Sequence, residues 1–113
     1  MTIDTLHAIA AIGTMITGLV SLIWPRSVQK FTGLRAEGGR GITEIRAVLG
    51  GFFIALGAAP LILNAAAAYD MLGIAYLVVG VVRTISMFVD KSVVKSNIIS
   101  IGVEIIFGLV LVF

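Results

Sequence analysis

GITEIRAVLGGFFIALG, residues Gly41–Gly57, decides the fold. It sets two charges, Glu44 and Arg46, at the mouth of a long apolar run, interrupts that run with Gly50, Gly51 and Gly57, and leads on to Pro60. At about 100° per residue, Glu44, Ala47, Gly51, Ala55 and Ala59 share one narrow helix face. Arg46, Gly50, Phe53, Gly57 and Pro60 share a second, roughly opposite. Only Ile45, Phe52, Leu56 and Leu63 form a bulky, wholly apolar stripe. That stripe is expected to face lipid. The two small-residue faces, with Gly50, Gly51, Ala55 and Gly57 at the points of closest approach, are expected to pack against neighbouring helices.

The composition agrees with a membrane setting. Of 113 residues, 59% are hydrophobic and 12% charged, about half the charge a soluble domain carries. Long apolar runs with few charges indicate an integral membrane protein. The absence of cysteine excludes disulfides and thiolate metal sites, and His7 is the single histidine, so no metal centre or cofactor is expected. A net charge of +2 comes from a few loop cations and does not make a nucleic-acid surface.

Working outward, Thr5–Trp24 is a first apolar run, about long enough to cross a core of roughly 30 Å. It lacks the positive flank and cleavage site of a signal peptide, so it reads as a retained helix. Trp24 belongs at the interface, and Pro25 ends the helix. His7, Ala11, Thr14, Gly18 and Ser21 form a small and polar line along it. Val28, Phe31 and Leu34 then suggest one or two turns of interfacial helix. Residues 36–41 read as a glycine-containing connector, with neither the preceding strand nor the lysine of a phosphate-binding loop. The second long helix is expected from about Ile42 to Leu63, the third from about Ala67 to Val89, and the fourth from about Val93 to Phe113. The short turn at 64–70 returns the third helix antiparallel to the second. The expected fold is all-α: one domain over residues 1–113, an integral membrane antiparallel bundle of four transmembrane helices with no extramembrane part.

The cations orient it. Arg26, Lys30, Arg35 and Arg40 lie in the first connection, and Lys91 and Lys95 in the third. A four-pass chain puts both connections on one side, which the positive-inside rule makes the cytoplasm. Both termini are then outside, in a cell's inner (plasma) membrane.

Each helix also carries a face that lipid would reject. Tyr76, Arg83, Met87 and Asp90 share one on the third helix, and Asn97, Ser100, Glu104 and Gly108 share one on the fourth. Turned inward, these faces make a polar seam. Arg83 lies roughly 9 Å, and Glu104 roughly 15 Å, inside the cytoplasmic edge. Each charge alone costs about 2.5–3.5 kcal/mol there, so the two are expected to pair, with Glu44 and Arg46 entering from the same side. Two readings stand: a ligand or proton site on Glu104, Arg83 and Glu44, or an ion-pair network that fixes helix register. His7 reads as an interfacial or capping residue. Tyr76 reads as a ligand contact or as an interior tyrosine bonded to a neighbouring backbone.

Pro25 closing the first helix, Phe31-Thr32-Gly33-Leu34, a variable glycine-containing loop, and then Thr43-Glu44-Ile45-Arg46-Ala47-Val48-Leu49-Gly50-Gly51 with Gly57 resemble a bacterial domain-of-unknown-function family. Its members are small four-helix membrane proteins similar to the broader DoxX-like group. The specific part is the Glu-x-Arg-Ala-x-x-Gly-Gly core. The later helices match in length and in holding one arginine and one glutamate, and Leu49 stands where an aromatic residue is often seen. The resemblance implies the fold and the importance of Glu44, Arg46, Gly50 and Gly51. It implies no activity and no substrate.

Two functions from different classes follow. The first is a membrane module that acts by association, as a homo-oligomer or as an accessory subunit of a larger membrane complex, with lipid as its other neighbour. The second is a small proton-linked transporter, or a lipid or quinone carrier, using Glu104 and Arg83. The chain has the size of small multidrug-resistance transporters but no carboxylate within its first apolar run. An enzyme is not expected, because no nucleophile–base pair or cofactor motif is present.

Overall fold

A computed structural model describes residues 3–113. Met1 and Thr2, expected outside the cytoplasm, lie outside the described residues. Helix is the regular structure throughout, with no strand among the described residues. The helices are α1 (Ile3–Ile23), α2 (Pro25–Thr32), α3 (Gly38–Leu63), α4 (Ala66–Val89) and α5 (Lys95–Val112). Of these, α1, α3, α4 and α5 are long and apolar enough to cross a membrane, with mean hydropathies of 1.8 to 2.0.

The punctuation follows the sequence. α1 stops at Ile23, Trp24 leaves helical geometry, and Pro25 opens α2 at the position where its fixed φ suits a helix start. Gly33 closes α2 with φ +78, its N–H donating to the Gln29 carbonyl at 2.8 Å. Asn64 ends α3 in the left-handed region at φ 48. One boundary differs. The connector expected to reach Gly41 is shorter, because α3 already begins at Gly38. Gly41 permits this. A Cβ there would sit 2.9 Å from the Ala36 Cα, so only glycine lets the connector lie against the first turn.

The chain divides into two compact units. In the unit Ala11–Asn64, α1 and α3 pack antiparallel through small residues. A Cβ on Gly18 would meet the Gly50 carbonyl oxygen at 2.6 Å and the Ile54 nitrogen at 2.7 Å. One on Gly57 would run into the Ala11 carbonyl oxygen. Ala11, Thr14 and Ser21 are buried along the same line of α1. Backbones this close gain dispersion contacts that long side chains would block.

Inside α3, residues Ile45–Phe52 are wound as a π-helix. Its bonds run from i to i+5, so residues five apart fall on one face. Ile45 and Gly50 are such a pair, and both are buried with Gly57 and Pro60. Straight α-helical winding would set Ile45 and Gly50 about 140° apart. The expectation that Ile45 faces lipid is therefore overturned: it is 6% exposed, whereas Phe52 and Leu63 are exposed. The adjacent pair Gly50-Gly51 softens the α ladder where the winding changes. The other small-residue face, Glu44, Ala47, Gly51 and Ala55, is exposed.

The second unit comprises Ala65–Phe113 with the start of α1. Here α4 and α5 form an antiparallel hairpin. Gly73 lies against Leu111 and Val112, Gly108 against Leu77, and Gly80 against Ile105. The turn between them is tight: Lys91 takes φ 54, and the Ser92 N–H donates to the Met87 carbonyl at 2.8 Å. Leu72, Met87 and Leu111 are buried in this unit.

Candidate functional site

Arg83 and Glu104 meet across the α4–α5 hairpin. The antiparallel register that sets Gly80 beside Ile105 brings the next turn of α4 level with Glu104. Arg83 Nε donates to Glu104 Oε1 at 2.8 Å and Oε2 at 3.1 Å, and its NH2 donates to Oε2 at 2.9 Å. The guanidinium therefore grips the carboxylate side-on with two nitrogens, the strong geometry for this pair. Its NH1 donates to Asn97 Oδ1 at 3.0 Å. Asn97 lies two turns before Glu104 on α5 and is itself held: its Nδ2 donates to the Ser92 carbonyl at 2.9 Å and to Ser92 Oγ at 3.3 Å. One arginine thus ties α4 to the middle of α5, to its first turn and, through Asn97, to the connecting turn.

The Glu104 side chain is 10% exposed and that of Arg83 33%. The carboxylate is the enclosed partner, and the guanidinium reaches an opening. A guanidinium has five N–H donors. Three are committed here, so one on NH1 and one on NH2 remain. Arg83 lines a cavity of about 410 Å³ along α4, walled by valines including Val78 and Val82. Ser86, Asp90, Ser92 and Asn97 sit toward the turn end. Chemically this offers hydrogen-bond donors, hydroxyls and the Asp90 carboxylate at one end of an apolar groove, with Arg83 already paired to Glu104.

The remaining candidates sit elsewhere. Tyr76 lies two turns before Arg83 on α4, its ring edge-on to Phe107 with centroids 5.5 Å apart. Glu44 pairs with Arg40 one turn earlier on α3, and both side chains are mostly exposed. Arg46 Nε donates to the Leu22 carbonyl at 3.2 Å, tying α3 to the end of α1. The structure thus gives Glu44 and Arg46 partners in the unit 11–64, while Arg83 and Glu104 partner each other in the hairpin. Gly50 and Gly57 are buried against α1, whereas Gly51 and Ala55 are exposed. His7 stacks beside Tyr69 with ring centroids 5.3 Å apart, and its Nε2 is buried without a partner among the described residues.

Asn97 was not among the candidates. Its signal was its place on the Glu104 face, seven residues away. Arg40 was missed as the partner of Glu44, although the spacing of four is that of a helical ion pair. No cluster of three or more metal-ligating side chains occurs among the described residues.

The model of a domain of unknown function, DUF4345, matches residues 4–113 of the chain. No curated protein and no solved structure matches it.

Proposed function

The chain belongs to the DUF4345 family, and from that premise we propose that it is a multi-pass membrane module that works by association rather than catalysis. In this reading its four long helices form an antiparallel transmembrane bundle, akin to the DoxX-like group, in the inner (plasma) membrane. The observation that carries the reading is the exposed face Ala47, Gly51 and Ala55 of α3. Small residues in a membrane helix bring backbones together. α3 has two such faces. The one at Gly50 and Gly57 is taken by α1, and the one at Gly51 is left open. A Cβ on Gly51 would find nothing nearer than the Arg46 carbonyl oxygen at 3.9 Å. Within its own chain, then, Gly51 has no steric reason to be glycine.

That space also makes the reading testable. Gly51→Leu leaves the protomer intact and blocks the approach of a second helix. Energy transfer between differently labelled copies in liposomes should be present for the wild type and lost in Gly51→Leu, with unchanged melting in detergent. A wild type that shows no transfer at any protein-to-lipid ratio, and brings down no other membrane protein that Gly51→Leu loses, would defeat the association reading.

A second reading, a lipid or quinone carrier or a small proton-linked transporter, draws on the groove beside Arg83. The closed grip on Glu104 weighs against the proton-linked form, because the carboxylate is already engaged by three contacts from one guanidinium.

A further inference from the structure

The unit 11–64 holds a second concavity, of about 380 Å³, where α2, the connector and the start of α3 meet. Arg26 and Gln29 of α2 line it together with Gly39 and Arg46 of α3. Its polar groups are one-sided. The Arg26 side chain makes no hydrogen bond or ion pair among the described residues. Arg46 is anchored by its Nε to the Leu22 carbonyl, which leaves NH1 and NH2 uncommitted. Gln29 has spent its acceptor: Oε1 takes the Ala36 N–H at 2.8 Å, and the amide NH₂ is left over. What remains is a set of donors on two guanidiniums and an amide. No carboxylate lines the cleft, and Glu44 is occupied by Arg40.

Gly39 supplies an independent observation. Its φ is not in the left-handed region, and a Cβ there would touch nothing within 4 Å. Neither backbone conformation nor packing calls for glycine, which is among the poorest helix formers. Its missing side chain does keep the wall of the cleft open.

We propose that this cleft binds a phosphate-class anion, with Arg26 and Arg46 as the paired guanidiniums and the Gln29 amide as a third donor. Planar guanidinium forks match phosphate oxygens with paired hydrogen bonds. The level of the cleft favours a lipid headgroup as the source. Arg46 is bonded to Leu22, one residue before α1 ends, and exposed Trp24, Phe31 and Leu34 lie on the adjoining segment. Tryptophan and amphipathic turns of this kind sit at the headgroup layer, where basic pockets between membrane helices take anionic lipids.

The test uses the whole chain in phosphatidylcholine nanodiscs, with and without phosphatidylglycerol, and a third set with inorganic phosphate in the buffer. Melting temperature and lipid retained in native mass spectra are read for the wild type, Arg26→Gln, Gly39→Val and Lys30→Gln. Arg26 has no internal partner and Gly39 has room, so both variants fold. Lys30 lies outside the cleft and controls for bulk charge. Retention of phosphatidylglycerol should fall about tenfold in Arg26→Gln, since a charged hydrogen bond is worth roughly that factor, should fall in Gly39→Val because its side chain occupies the cleft, and should stay unchanged in Lys30→Gln. Stabilisation by inorganic phosphate with the same variant pattern would support the site and assign its source to the free anion. If Lys30→Gln weakens binding as much as Arg26→Gln, or if neither phosphatidylglycerol nor phosphate has any effect, the cleft is not a phosphate site.

Discussion

Arg83 shows how one residue can be both costly and organising. An arginine within a membrane-spanning helix is unfavourable by about 2.5–3.5 kcal/mol unless it is partnered. Here the partnering is nearly complete, with Glu104 and Asn97 both supplied by α5. Removing either charge strands the other in low dielectric, at about 3–5 kcal/mol, less whatever proton uptake or snorkelling relieves. Arg83→Met and Glu104→Gln should each lower the melting temperature in detergent. The double variant should regain much of that loss, because neutral side chains need no counter-ion. A double variant as unstable as the two singles combined would mean that the contact does not matter energetically. If the double variant folds and keeps the cellular phenotype, the pair is a register device. If it folds and loses the phenotype, the groove beside Arg83 becomes the functional site. This pair could be read from the sequence because both residues lie on polar faces at compatible depth. Asn97 was harder to read, since its role depends on a turn at Ser92 whose geometry no periodicity encodes. The Arg40–Glu44 pair was missed for a boundary reason: with the helix expected to begin at Ile42, Arg40 lay in a connector and had no helical neighbour.

At the scale of the element, α3 divides what hydropathy can reveal from what it cannot. Its apolar length and its far end at Leu63 follow from composition, and Asn64 marks the stop. Its rotation does not follow. A fixed angle per residue places Ile45 on the lipid side, whereas the π-wound turns Ile45–Phe52 bring it inward. The faces C-terminal to those turns are set by contact with α1, where Gly57 meets the Ala11 carbonyl and Met15. Gly57→Leu must therefore push the two backbones apart. Overpacking of this kind costs about 1–3 kcal/mol, and more when the obstacle is backbone. Phe52→Leu, on an exposed face, should stay within about 0.5 kcal/mol. Thermal melts of both variants in one detergent decide the matter. Equal losses would mean that the α1–α3 contact is not what holds this unit.

For the whole molecule, length and hydropathy yield four helices able to cross a membrane, and the cations then choose between two orientations. Arg26, Lys30, Arg35 and Arg40 flank the connection between α1 and α3, and Lys91 and Lys95 flank that between α4 and α5. The connection between α3 and α4, at Asn64 and Ala65, has none. In the proposed four-crossing arrangement the two basic connections fall on one side, which the positive-inside rule would make the cytoplasm. A wrong number of crossings would split the cations between two sides and remove the bias, so the charge pattern and the span count test each other. Single cysteines at Lys30, Asn64 and Lys91, in a chain with no cysteine of its own, make the test direct. A membrane-impermeant maleimide should label Asn64→Cys in intact cells, and Lys30→Cys and Lys91→Cys only after the membrane is opened. Labelling of Lys30→Cys and Lys91→Cys from opposite sides would break the four-crossing reading. Labelling of all three in the reverse sense would keep the crossings and invert the protein, moving the Arg26–Arg46 cleft to the outer leaflet and changing which anionic lipids it could meet.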